Sequence, residues 1–395
     1  MPTIFSAPWI LPIALPPIRN GWVAVDAGRI TAVGGGEAPG PSTEIDGVIM
    51  PGLVNAHTHL ELSWMRDQVP PAVTMPAWVE RLMALRRTVG HEPALPIVDG
   101  IHEARAAGTT LVGDITNTLA AFEPLAASPM SGMIFRELLG FNVPDPDAVV
   151  AAAREQIEQL PVDPRFRASV VPHAPYSVSP ALLRAIAAAA GRSPISIHLG
   201  ESAEEVEFLR SGRGAWRELL GKLGVWSDEW QPPATGPVDY IAAQGLLNER
   251  LLAVHCVQLT DEELRKLAIA GATVVTCPRS NRWTGAGQAP IDRFYASGVR
   301  VAVGTDSLSS VEDLNVFKEL RMMRELAPHV PAGEILASAT KHGADALGFG
   351  AELGTLEPGK RAELIAVSIG PGVTDVEEYL LSGVEPSQIT WLSGF

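Results

Sequence analysis

Only two cysteines, Cys256 and Cys277, occur in 395 residues, so no disulfide framework holds the fold and a reducing, cytoplasmic location is expected. Basic tracts are missing too. Acidic residues number 45 against 30 basic ones, a formal net charge of −15, which argues against nucleic acid as a partner because nothing in the chain would follow a phosphate backbone. The apolar stretch near the start, IFSAPWILPIALPPI, has no positive flank and is cut by four prolines, which speaks against a signal peptide or a membrane helix. Short-period repeats and low-complexity tracts are absent, and GGG at 34–36 has neither Rossmann nor P-loop spacing.

What is present suits a large globular protein. The length exceeds one small core, and 46% hydrophobic with 19% charged residues is ordinary for a folded soluble chain. Residues 20–34, NGWVAVDAGRITAVG, alternate around an Asp-Ala-Gly turn and predict a β-hairpin; GTLEPGKRAELIAVS near the other end predicts a turn and a strand. Between these ends, eight short apolar runs recur: GVIMPGLVNAH, TTLVGDI, GMIFREL, ASVVPHA, PISIHLG, LLAVHC, ATVVTCP and RVAVGTD. Runs this apolar suit strands buried on both faces, and intervening helices such as PALLRAIAAAAG and DEELRKLAIAG favour parallel pairing, so the expectation is a (β/α)8 barrel. The connection from Glu201 to Glu249, with Trp216, Trp226 and Trp230, is longer than a helix requires and is of the kind that shapes a pocket.

In such a barrel, polar residues at the C-terminal ends of strands converge. GLVNAHTHLELSW puts His57, His59 and Glu61 at two-residue spacing, hence on one side of an extended strand. Strand four supplies His173, strand five His198, strand six His255 and strand eight Asp306, so five of the nine histidines occupy strand ends. The other four, His91, His102, His329 and His342, receive no chemistry. Imidazoles with a carboxylate are the usual ligands of a catalytic divalent metal, and His57, His59, His198 and Asp306 would form that site. Glu201, three residues after His198, is placed to shuttle protons without being a ligand; the plainer alternative is an acid at a helix N-terminus. No lysine precedes Lys222, so strands one to five cannot supply a carbamylated lysine to bridge two metals, and a single metal is expected. HLE at 59–61 mimics a zinc cytidine deaminase motif, but no P-C-x-x-C follows. The two cysteines read as small buried residues.

In order along the chain, PGLVNAHTHLE, HAPYSVSP, HLGESAEEVEF, LLAVHCVQLTDEE, CPRSN, GTDSLSS and LGTLEPGKRAELIAV resemble the amidohydrolase superfamily, in its cytosine/adenosine deaminase and triazine chlorohydrolase branch. The resemblance implies an α/β fold class: a deformed (β/α)8 TIM barrel over 51–345 and a small β-sandwich composed of 1–50 and 346–395. It implies one Zn²⁺ or Fe²⁺ on His57, His59, His198 and Asp306, and a small purine nucleoside as partner; a homodimer is common among such relatives. It also implies that Glu201 protonates a ring nitrogen and then departing ammonia, that Asp306 takes a proton from water, that His255 contacts the water or the tetrahedral oxygen, and that His173 touches the ring.

Within that branch HTHLE is similar to the 6-aminodeoxyfutalosine deaminases of the futalosine route to menaquinone. The acid that relatives acting on S-adenosylhomocysteine and methylthioadenosine use for the ribose is replaced by Pro76 and Ala77 before Trp78, and Glu61 is the candidate replacement, against the alternative of a surface acid. Arg136 with Glu137, and Arg279 with Asn281, are candidates for a substrate tail, either arginine pairing with a carboxylate. Ser309 is a further candidate contact, and Trp64 and Trp78 are candidates for ring stacking or for the core. Deamination of S-adenosylhomocysteine, methylthioadenosine or guanine, dechlorination, and a non-catalytic metal-binding barrel are the alternatives.

Overall fold

The computed structural model describes residues 2–88 and 93–392, so His91 lies outside the described residues. Each of the eight apolar runs contains a strand: β1 (Leu53–Thr58), β2 (Thr109–Thr116), β3 (Ser131–Leu138), β4 (Phe166–Pro172), β5 (Ile195–Leu199), β6 (Leu251–His255), β7 (Thr273–Thr276) and β8 (Arg300–Val303). They pair in chain order as two four-stranded parallel sheets, β1 to β4 and β5 to β8. All eight residues of β2 are buried, as a parallel strand covered on both faces requires.

Hydrogen bonds join the two sheets at both edges. Beyond β4 and within β5, the His198 amide donates to the His173 carbonyl at 2.9 Å. Beyond β8, the Asp306 amide donates to the His57 carbonyl at 3.0 Å, and Thr58 forms a parallel bridge with Asp306. Asn55 clasps Thr305 there through two buried bonds of 2.7 and 3.0 Å. A side chain would block this approach: a Cβ on Gly304 would sit 2.6 Å from the His57 carbonyl oxygen.

The covering helices follow local rules. Ser179 caps the helix Pro180–Ala189, whose buried Leu182, Leu183 and Ile186 lie on one face. A reciprocal bond pair between Thr260 and Glu263 starts the helix Asp261–Ile269.

The chain ends build a third sheet. Ile18–Asp26 and Arg29–Gly35 form the expected hairpin, with Ala27 and Gly28 both at positive φ (48° and 73°) as a twist-matched two-residue turn demands. The strand Thr3–Ile10, drawn from the proline-cut apolar stretch, lies beside it. With Val48–Pro51, Thr43–Glu44, Leu364–Val367 and Ile389–Leu392, these strands make one seven-stranded hydrogen-bonded sheet. Among the described residues, no helix is long and apolar enough to cross a membrane.

Candidate active site

At the C-terminal ends of the parallel strands five histidines and three carboxylates come together, and all of them except His57 line one cavity of about 980 Å³, measured with its open mouth. His57 and His59 leave β1 with ring centroids 5.0 Å apart. His57 Nε2 lies 3.3 Å from His198 Nε2, and His59 Nε2 lies 3.6 Å from Asp306 Oδ1. Donor atoms of His57, His59 and Asp306 fall within 4.8 Å of one another, as do those of His57, His198 and His255.

Three features hold this geometry. Asp306 sits at φ 64°, in left-handed backbone that an aspartate seldom adopts, and Ser280 Oγ donates to its Oδ2 at 2.6 Å. His255 sits at φ 71° with Cys256 at 55°; strain of this kind persists only where the surroundings impose it. His198 is oriented by its other nitrogen, Nδ1, at 3.0 Å from the His173 carbonyl. A carbonyl only accepts, so Nδ1 carries the proton and the Nε2 lone pair faces His57.

Burial is the largest influence on the five histidines. It holds His57, His59 and His255 well below the usual imidazole value and brings His173 and His198 down to about 4, the Glu137 carboxylate partly opposing it at His198. The rings are therefore neutral near pH 7 and present lone pairs. Buried neutral imidazoles converging beside a carboxylate fit a divalent cation, and His57, His59, His198 and Asp306 are the residues that would hold it. Burial also raises the Asp306 carboxyl to about 6.

Glu201 is buried, 3.5 Å from His255 Nε2 through Oε1. Burial first, then the nearby Asp306 and Glu205, pushes its carboxyl well above the usual range. It is not the first-turn acid of a helix: Ser202 caps the helix Ala203–Ser211, and Glu204 and Glu205 occupy that turn. Glu205 instead accepts the amides of Gly200 and Glu201, at 2.9 and 3.1 Å, and so fixes the Glu201 backbone.

The walls are apolar. Helix Met75–Arg86 contributes Met75, Trp78, Val79, Leu82 and Met83, and helix Ala215–Lys222, from the long connection, contributes Trp216, Leu219 and Leu220. Trp216 stacks on Tyr176 at 3.8 Å between centroids. Sequence reasoning missed Tyr176, Ser177, Arg86 and Asn117 as cavity residues. The apolar stripe of Met75–Arg86 was the available signal for that wall; Asn117 and Arg86 had none.

Several expected contacts are corrected. Glu61 does not reach the cavity: after His59 the chain turns into the 3-10 helix Leu60–Met65, which ends the strand alternation. Its carboxylate accepts from the Thr116 and Thr118 hydroxyls at 2.7 Å, from the amides of Asn117 and Thr118, and from Arg86 at 3.2 Å. Arg136 points away from the cavity by strand alternation, donating to Gln156 at 2.9 Å and to the Glu137 carbonyl, while Glu137 faces the cavity and accepts from Asn117 at 2.9 Å. Arg279 is consumed by Glu312 and Asp313 at 2.8 and 2.9 Å and by Glu319 at 3.5 Å. Asn281 binds His255 rather than facing the cavity as a tail contact. Ser309 is buried against Ser307, and Ser307 is the one lining the cavity. Trp78 and His173 do line it, whereas Trp64 packs beside Met65 and Leu82. Both cysteines are buried with thiols pushed up by burial, which suits space filling rather than reactivity.

The chain is similar to known proteins. The family model described as the amidohydrolase family matches residues 48–384. The chain is 34% identical over 314 residues to an aminodeoxyfutalosine deaminase of Deinococcus radiodurans, covering 76% of this chain and 73% of that one. It is 32% identical over 388 residues to a 5-methylthioadenosine/S-adenosylhomocysteine deaminase of Moorella thermoacetica, covering 91% and 84%. A crystal structure of an adenosine deaminase from Xanthomonas campestris with bound zinc superposes with a TM-score of 0.83 at 28% identity, covering 98% and 90%. By the span of the family match and by these identities, the chain belongs to the amidohydrolase family.

Proposed function

We propose that this protein is a metal-dependent hydrolytic deaminase of an adenine nucleoside, with 6-aminodeoxyfutalosine as the first substrate to test. The observation that carries the reading is geometric: a buried Glu201 carboxyl, which burial pushes well above the usual range, lies 3.5 Å from His255 beside a His/Asp cluster suited to a cation.

When bound to His57, His59, His198 and Asp306, a Zn²⁺ or Fe²⁺ ion supplies a Lewis acid and lowers the pKa of water to about 7. Around it the chain's own groups divide the proton work. Glu201 donates to the ring nitrogen next to the amino-bearing carbon, recovers a proton from the hydroxyl of the tetrahedral adduct as the carbonyl forms, and delivers it to departing ammonia. Asp306 takes up the proton of the attacking water and afterwards returns it to Glu201, which restores both acids for the next turnover. His173, anchored to Ser177 at 2.6 Å, and Trp78 border the space for the purine.

Methylthioadenosine is the second reading, favoured by the walls. Arg136 and Arg279 are spent elsewhere, and Arg86, the one cation lining the cavity among the described residues, already binds Glu61 and Asn117. An apolar tail needs no cation; the benzoate of aminodeoxyfutalosine does.

We further infer that the two parallel sheets, joined at both edges, act as one (β/α)8 barrel over 51–345 attached to a terminal domain of 1–50 and 346–395. Two buried free thiols accord with a reducing compartment. Steady-state kcat/KM for aminodeoxyfutalosine, methylthioadenosine, S-adenosylhomocysteine, adenosine and guanine, followed by ammonia release and the ultraviolet shift, tests the function. Chloride release from a triazine without ammonia from any nucleoside would overturn it.

A further inference from the structure

We propose that Asn281 is a positioning residue that locks His255 in the tautomer with its proton on Nδ1, so that the Nε2 lone pair faces the cavity. The inference rests on the deaminase reading for its kinetic consequence, but not for its geometry.

Asn281 Oδ1 lies 2.8 Å from His255 Nδ1, with both residues buried. An amide oxygen only accepts, so the ring nitrogen facing it must be the donor. A neutral imidazole has one N–H, which leaves Nε2 bare. That atom points at Glu201 Oε1, 3.5 Å away, and at the donor atoms of His57 and His198. The opposite tautomer would thrust an N–H among the lone pairs of the other histidines, and would turn His255 from an acceptor toward water, or toward the Glu201 hydroxyl, into a donor.

The rest of the local structure is arranged around this bond. Asn281 Nδ2 is buried with no hydrogen-bond partner, and a buried amide whose nitrogen is left unsatisfied is an expensive choice unless its oxygen has a task. The short helix Pro278–Thr284 carries Ser280 and Asn281 side by side: Ser280 holds Asp306 and Asn281 holds His255. The Asn281 amide is itself tied to the Cys277 carbonyl at 3.0 Å, directly beyond β7. The PRSN segment thus orients two cavity residues from one rigid support.

The test uses the metal-loaded, full-length protein labelled with ¹⁵N-histidine, in which long-range ¹H–¹⁵N spectra distinguish the tautomers and His255→Ala assigns the signals. The wild type and Asn281→Asp, which keeps an acceptor of the same shape, should show the Nδ1–H pattern. Asn281→Leu should lose it. On whichever nucleoside the wild type deaminates, Asn281→Leu should lower kcat about 10- to 100-fold with metal content unchanged, and Asn281→Asp should recover part of that loss. An Nε2–H pattern in the wild type, or wild-type kcat in Asn281→Leu, overturns the proposal. Should Asn281→Leu fail to fold, the wild-type spectrum alone decides. If the wild type deaminates nothing, the proposed function fails while the spectrum still settles the tautomer.

Discussion

Replacing Glu201 by glutamine removes one ionisable proton and almost nothing else. Glutamine keeps the length and planarity of the side chain, and the site already favours an uncharged group, because burial raises the Glu201 carboxyl well above its ordinary range. Among the described residues, Glu201 belongs to none of the groups of side chains that converge closely enough to hold a cation. Metal content should therefore stay at the wild-type level, and the folded state should be as stable or more so. A positioned general acid–base typically contributes 10²- to 10⁴-fold, roughly 3–5 kcal/mol of barrier at about 1.4 kcal/mol per decade. Since the same carboxyl serves both the ring nitrogen and the leaving ammonia, kcat should fall toward the upper part of that range while KM changes little. Ammonia release under saturating nucleoside, beside metal analysis of the same preparation, measures both. A kcat within threefold of wild type would refute the shuttle, and a variant emptied of metal would make Glu201 a ligand instead.

Removing a ring from the cluster should act differently: His57→Ala should lose bound metal and turnover together, because His57 belongs to two of the three triads of converging donor atoms among the described residues; a fully metallated His57→Ala protein would be incompatible with the proposed ligand set. Glu61→Ala should cost about 3–5 kcal/mol in a denaturant titration, since it leaves Arg86 and four other donors without their buried acceptor, yet should not alter the preference for nucleoside over free base beyond the general loss; a selective defect toward ribose-bearing substrates would restore the discarded role. The pH dependence of stability should carry the mark of Glu205, whose folded carboxyl is raised to about 7 by burial from an ordinary 4.5. A raised carboxyl contributes fully below 4.5 and its stabilisation is lost as pH climbs through 7, a change of order 3 kcal/mol. Glu205→Gln should flatten the fall in Tm between pH 5 and 8, and an unchanged slope would rule out Glu205 as its source.

Much of this molecule was legible from one chain because some signals are local. Eight apolar runs announced eight strands since a strand buried on both faces has no freedom to be polar, and the two-residue spacing of His57 and His59 follows from the strand period alone. The scarcity of histidine made five strand-end rings meaningful before any coordinates. Alternation carries no information past the end of a strand, however. Glu61 continues the His57, His59 spacing on paper, but the chain enters a 3-10 turn after His59 and the carboxylate swings onto the Thr116–Thr118 backbone. Arg136 and Glu137 are neighbours on β3, and only the pleat decides that the acid faces the cavity and the arginine does not.

The same division runs through the whole chain. Residue type and period determined by themselves where strands and covering helices form and which polar side chains stand at strand ends, because those depend on interactions within a few residues. Partners tens of residues away decided the rest. Arg279 looked available for a substrate carboxylate until Glu312, Asp313 and Glu319 were packed against it. Arg86 and Asn117 became cavity residues only when Met75–Arg86 was laid across the strand ends. A charged side chain takes its role from whichever counter-charge the tertiary fold brings within reach, and nothing in its own segment records that choice.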